Sequence, residues 1–139
     1  MGKRLETLST QEKLLTKMTI LEVKDLSVAF RINGVQTQVL DNVSFSINKN
    51  ETLALVGESG SGKSVSALST LQLLPKNSAE YLSGSVKIDG KEYLKSNNNI
   101  SEVRGRKISM IFQEPMTSLN PLHTIKKQIS EAISLYQTA

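Results

Sequence analysis

The sequence predicts an α/β fold in which antiparallel strands near the N-terminus lead into the first strand and helix of a parallel-sheet layer. Three observations predict it. Residues 19–30 are mostly β-branched and apolar, with polar members recurring at short intervals, as a half-buried strand requires. Residues 53–56 are apolar without interruption, the pattern of a strand covered on both faces. Residues 63–74 carry apolar side chains at 65, 67, 68, 71 and 74, which is a helical spacing.

In chain order, residues 1–17 are polar, with leucines at 5, 8, 14 and 15, and read as a mobile extension. The folded unit is expected over residues 18–139. After the strand at 19–30, Asn33-Gly34 followed by the alternation of Val35, Thr37 and Val39 predicts a hairpin, because that dipeptide tolerates the positive φ of a tight turn. A further strand is expected at 43–47, closed by Asn48, Lys49 and Asn50. The strand at 51–56 then gives way to three glycines and two serines within 57–62, and the helix after them ends before Pro75. Residues 83–88 read as a strand turned by Asp89-Gly90, and residues 96–99 as a polar loop. Residues 108–112 read as a short apolar strand stopping at Gln113. Thr124 is placed to cap a helix whose Ile125, Ile129, Ala132, Ile133 and Tyr136 share one face.

The 139 residues suffice for one domain and one core. With 38% hydrophobic and 22% charged residues the composition is that of an ordinary globular protein. The chain has no cysteine, so neither a disulfide framework nor a thiolate metal site is available, and a cytoplasmic setting is expected. Its net charge of +4 is scattered, without a block of like charges or an aromatic-interleaved basic stripe, which argues against a nucleic-acid partner. No apolar run approaches the roughly 20 residues of a membrane-spanning helix.

Residues 57–64, Gly-Glu-Ser-Gly-Ser-Gly-Lys-Ser, satisfy the pattern Gly, any four, Gly-Lys-Ser/Thr between a predicted strand and a predicted helix. The chemistry explains each residue type. A loop that wraps a phosphate must let backbone N–H groups converge, and glycines at 57, 60 and 62 permit the dihedrals this takes. The first turn of the helix, Lys63 to Val65, adds free N–H groups and the positive end of a dipole. Lys63 supplies a point charge to the β- and γ-phosphates, and the Ser64 hydroxyl can complete the shell of a magnesium ion. Glu58, Ser59 and Ser61 make up the rest of the candidate site. By chance the pattern should arise in roughly one chain of this length in two hundred. A dinucleotide fingerprint is excluded, because Val65 stands where that pattern needs glycine or alanine.

Residues 52–64, together with Ile111-Phe112-Gln113-Glu114-Pro115-Met116-Thr117-Ser118-Leu119-Asn120-Pro121, resemble the ATP-binding cassette of ABC transporters, in its peptide-importer branch. Residues 80–84 and 119–124 are similar to the first cassette of the two-cassette ATPases of microcin C type transporters. The resemblance implies a P-loop NTPase of ABC type: an N-terminal β-subdomain, the start of the parallel-sheet core and the first helix of the helical subdomain. It implies ATP with Mg2+ as ligands, with Gln113 as a magnesium ligand that senses the γ-phosphate. It places Phe30 where the family stacks an aromatic ring on adenine. The implied partners are transmembrane permease subunits, met through the loop after Gln113, and a second cassette, in a homodimer, a heterodimer or a tandem chain. The implied role is the energy-coupling ATPase of an importer for peptides or related cargo, held peripherally on the cytoplasmic face of the membrane.

The family's later motifs do not occur in the 139 residues: no Leu-Ser-Gly-Gly-Gln signature, no apolar strand ending in Asp-Glu after Gln113, and no switch histidine. In the family these clamp ATP from the opposite protomer, support the magnesium and supply the general base, so no catalytic residue is assigned. The expectation is the first half of one cassette, poorly soluble or partly folded alone, binding nucleotide weakly and turning over none. His123, Arg104 and Arg106 read as solvated surface. Two other readings are another P-loop enzyme, such as a small-molecule kinase or GTPase, and an inactive truncated product. The first would need an acceptor site or a guanine-reading motif that the sequence does not show.

Overall fold

The computed structural model describes residues 18–113 and 119–137. The extension expected at 1–17, residues 114–118 of the family-like loop and the Tyr136 side chain lie outside the described residues. The chain divides into two compact units, Met1–Asn98 and Asn99–Ala139, and each is described by itself.

In the first unit, β1 (Thr19–Ile32) and β2 (Val35–Asn48) form a long antiparallel hairpin. Asn33 and Gly34 both carry positive φ, 51° and 82°, so the turn matches the twist of the strands it joins. On its other edge β1 pairs with β3 (Ala79–Ile88), and β3 is turned by Asp89-Gly90 into the two-residue β4 (Lys91–Glu92). The sheet order is β2-β1-β3-β4, antiparallel throughout. Leu21, Val23, Leu26 and Val28 of β1 are buried, with Leu40 of β2 and Val86 and Ile88 of β3. Each such side chain contributes about 1.5–3 kcal/mol by leaving water.

The hairpin differs from expectation in one respect. Two strands were expected over 35–47, and β2 runs through both as a single element. The interruption at Asp41-Asn42 is absorbed as a bulge, with two β2 residues facing Ser27 of β1. Asn42 sits at φ 49°, and its N–H is recovered by Ser27 Oγ at 3.0 Å. Nearby, Asp25 sits at φ 49° and donates its N–H to Ser44 Oγ at 2.8 Å, while Ser83 Oγ donates to the Asp25 carbonyl at 3.0 Å. Gly84 of β3 passes this bulge at φ 114°, and a Cβ there would lie 2.6 Å from Leu26 Cα. Three neighbouring strands therefore kink together, and serine hydroxyls take up backbone groups that the ladder leaves over.

The β3–β4 turn is fastened by one carboxylate. Glu92 accepts hydrogen bonds from the Ser85 hydroxyl and from the N–H groups of Leu94 at 2.7 Å, Lys95 at 3.1 Å and Val86 at 3.2 Å. Burial pushes this carboxyl up, but the hydroxyl and the three N–H groups outweigh that and hold its pKa below the ordinary value.

Helix α1 (Lys63–Thr70) is shorter than the expected 63–74. Gln72 adopts φ 51°, and the N–H groups of Gln72 and Leu73 return to the carbonyls of Ser69 (3.1 Å) and Leu68 (2.9 Å). This is a left-handed helix stop with glutamine where glycine is usual. Gln72 Nε2 also donates to the Tyr93 carbonyl at 2.7 Å, tying the stop to the segment after β4. The buried residues of α1 are Ser66, Ser69 and Thr70, and each hydroxyl donates to a carbonyl of its own helix.

Two expected strands do not form. Residues 51–58 belong to no ladder, and Leu53, Leu55 and Val56 are exposed, Val56 to 92%. In the second unit residues 109–112 are likewise unpaired, with Ile111 exposed to 97%, and Ile108 makes only a single parallel bridge to Arg104. An apolar run is a strand only when another strand takes its N–H and C=O groups, and no described residue pairs with either run. β3 in turn starts at Ala79 rather than Ser83, because Glu80 and Tyr81 find partners in Ala29 and Val28.

The second unit opens with a one-turn 3-10 helix (Ile100–Glu102), capped where Asn99 Oδ1 accepts the Ser101 N–H at 3.0 Å. It closes with α2 (Ile125–Gln137). Thr124 caps α2 as expected, its Oγ1 accepting the Lys127 N–H at 3.3 Å. Ile125, Ile129 and Ile133 of the expected apolar face are exposed within this unit.

Candidate functional site

The candidate loop starts where the extended segment ends. The N–H of Ser61 returns to the carbonyl of Glu58 at 3.2 Å, closing a turn with Gly60 in its third place at φ 81°, a dihedral that glycine adopts without strain. Nothing lies within 4 Å of where a Gly60 Cβ would stand, so this glycine serves the backbone's conformation. Gly57 and Gly62 serve close approach. A Cβ on Gly57 would lie 2.6 Å from Ser61 Oγ, and one on Gly62 would lie 2.6 Å from Leu40 Cδ2. Gly62, at φ 89°, thus brings the start of α1 hard against β2.

The first hydrogen bond of α1 runs from the Ser66 N–H to the Gly62 carbonyl at 2.8 Å. The N–H groups of Lys63, Ser64 and Val65 have no carbonyl one turn earlier, as at any helix start. The helix has no side-chain cap and no acidic residue in its first turn. Its positive end therefore faces the loop without compensation from its own residues. Lys63 bends back over the loop: Nζ donates to the carbonyls of Gly57 (2.7 Å) and Glu58 (2.6 Å) and to Ser61 Oγ (3.1 Å). Ser64 is exposed and Val65 half-buried. Residues 57–65 thus gather uncapped N–H groups, one ammonium and the hydroxyls of Ser59 and Ser64 around a glycine turn, a donor set that suits a phosphate chain.

Phe30 lies on β1, half-buried, opposite Thr37 of β2 and Ala79 of β3. Thr37 is two residues from Val39, whose carbonyl lies 3.4 Å from the Cβ position of Gly62. Phe30 and the end of the loop are therefore related through β2. Gln113 is exposed and belongs to the second unit. His123 is exposed too, and its carbonyl accepts from Gln128 Nε2 at 2.9 Å. Sequence reasoning missed Leu40, the shelf under Gly62; its only signal was an apolar residue at the end of the Val35, Thr37, Val39 alternation.

Among the described residues no cluster of three or more His, Cys, Asp or Glu side chains is placed to hold a metal. A Mg2+ here would find in the Ser64 hydroxyl a hard oxygen ligand, with phosphate and water supplying others.

A glycine turn feeding an uncapped helix start is the local geometry of a phosphate-binding loop, and it lies beside a sheet that is antiparallel throughout. The family described as ABC transporter matches residues 40–138, and the chain belongs to that family. It is 54% identical over 120 residues to an ABC transporter ATP-binding protein, YejF, of Escherichia coli K12, covering 86% of this chain and 23% of the relative. It is 54% identical over 119 residues to the peptidoglycan transport ATP-binding protein YejF of Agrobacterium fabrum, covering 85% and 22%. To the oligopeptide transport ATP-binding protein OppD of Bacillus subtilis it is 44% identical over 115 residues, covering 82% and 32%. The chain thus spans about a quarter to a third of the length of these relatives. Among the described residues no helix is long and apolar enough to cross a membrane.

Proposed function

We propose that residues 57–65 bind the triphosphate of ATP, with Mg2+ held at Ser64, and that Phe30 stacks on the adenine. The observation that carries this reading is the convergence of Lys63 and the uncapped start of α1 on one glycine turn. In the protein to which this segment belongs, the site serves the energy-coupling ATPase subunit of an ABC importer for peptides or related cargo. That subunit works at the membrane surface with transmembrane permease subunits and a second cassette. The relatives named for oligopeptide and peptidoglycan transport support the cargo class. For the 139 residues alone the expectation is binding without turnover, the family's later motifs not occurring among them.

The role of each residue follows from its chemistry. Backbone N–H groups of the loop and of the first turn of α1 orient the phosphates, and Lys63 neutralises charge on them. Magnesium held at Ser64 would supply positive charge to offset that of the phosphates. Titration of the 139-residue chain with a fluorescent ATP analogue tests the reading. Saturable binding that Lys63→Ala weakens by at least about tenfold is expected, since a charge-assisted contact is lost. Binding that is indifferent to Lys63, or hydrolysis by the chain that Lys63→Ala abolishes, overturns it.

A further inference from the structure

Lys63 has spent all of its hydrogen-bonding capacity inside the loop. An ammonium has three donors and no acceptor, and Nζ already meets three oxygens: Gly57 O, Glu58 O and Ser61 Oγ. Any phosphate oxygen that Lys63 is to hold must take the place of one of them. The three are not equally replaceable. Gly57 O and Glu58 O are main-chain atoms of a turn that the Ser61 N–H to Glu58 O bond closes, and they make the shorter contacts, 2.7 and 2.6 Å. Freeing either one means re-forming the turn. The Ser61 hydroxyl makes the longest contact, 3.1 Å, on an exposed side chain, and a single χ1 rotation withdraws it. The same side chain sits over Gly57, where a Cβ would come within 2.6 Å of Ser61 Oγ, so the present rotamer is the one that keeps the hydroxyl tucked into the loop.

We propose that Ser61 is an affinity-setting residue of the loop: its hydroxyl holds the third donor of Lys63, and a phosphate oxygen reaches Lys63 by displacing it. The inference rests on the reading of residues 57–65 as a triphosphate site, and it concerns phosphate alone, whatever base is attached. Ser61 acts through Lys63 and is a positioning residue. Removing its hydroxyl removes the competitor, so the site should bind more tightly, opposite to what is expected when a residue that touches ligand is truncated.

The test measures affinity by calorimetry for inorganic tripolyphosphate and for ATP, each with Mg2+, in the 139-residue chain and in its Ser61→Ala and Lys63→Ala variants, with thermal melting of each as a check on folding. Loss of one competing hydrogen bond predicts a gain of about fivefold for Ser61→Ala. The gain should be the same for both ligands, at an unchanged melting temperature. Affinity that is unchanged or weaker in Ser61→Ala, while Lys63→Ala still weakens binding, overturns the proposal and leaves the phosphate site standing. A gain confined to ATP also overturns it, because the competition is for phosphate. If neither ligand binds the wild-type chain, the phosphate site falls and the role of Ser61 falls with it.

Discussion

The side-chain amide of Gln128 closes a ring on the backbone of Asn120, accepting its N–H at 2.9 Å and donating to its carbonyl at 3.0 Å. The same Nε2 reaches the His123 carbonyl at 2.9 Å, and Asn120 Oδ1 takes the Leu122 N–H at 2.9 Å. One glutamine in the first turns of α2 thus organises the loop that leads into it. Gln128→Ala should release the loop at a cost of about 1 kcal/mol in local stability. Amide exchange read by NMR should accelerate about fivefold at Asn120, with little change at the amides of β1. Unchanged exchange at Asn120 would show that the loop holds itself.

Acid should loosen the β3–β4 turn through Glu92. Its folded-state pKa is lowered by the hydroxyl and N–H groups around it, against the effect of burial. The stability it contributes is therefore fully present above the unfolded-state value of about 4.3 and is lost as pH falls through the lower folded-state value. Denaturant titrations of the wild type and Glu92→Gln should differ at neutral pH and converge below about pH 4. A difference that stays constant from neutral pH to pH 3 is the contrary result.

Gly84 and Gly90 both have positive φ, 114° and 75°, yet they should respond differently to alanine. At Gly90 the new Cβ meets open space, and only the dihedral strain of about 1–2 kcal/mol applies. At Gly84 the Cβ meets Leu26 Cα at 2.6 Å, backbone that cannot step aside. Gly84→Ala should cost about 3 kcal/mol or more, measured by chemical denaturation. Equal costs at the two sites would show that β1 gives way at its bulge.

Phe30→Ala separates the base from the phosphates. Stacking on a base is worth about 1–3 kcal/mol, so ATP should bind at least about fivefold more weakly. Inorganic tripolyphosphate should bind the variant and the wild type equally. An equal loss for both ligands would make Phe30 a support of the sheet.

What the sequence made legible is what is settled within a few residues. Asn33-Gly34 and Asp89-Gly90 carry their turn geometry in their own side chains, or in the lack of one, and both turns form. Thr124 caps the helix after it, and the glycine loop runs into a helix at Lys63. What depended on distant partners was not legible. Val56 and Ile111 look like buried strand residues by composition, but burial is conferred by neighbours, and both are exposed. Gln72 stops α1 at φ 51°, a place where glycine is usual, and its amide reaches Tyr93, twenty-one residues on. The candidate site divides in the same way. Residues 57–65 were readable as a contiguous motif, whereas the Leu40 shelf under Gly62 required knowing that β2 passes beneath the loop.

The bulge at Asn42 reaches beyond the geometry of the hairpin. β2 is an outer strand of its sheet, fourteen residues long, with Val35 and Val39 open to solvent. A flat edge of that length would recruit strands from other molecules and seed fibrous aggregation. Asn42, turned to φ 49° with its N–H given inward to Ser27, breaks that edge into two shorter stretches that no straight strand can follow. A polar residue that looks like a gap between strands in the sequence thereby makes this edge a poorer template for another strand.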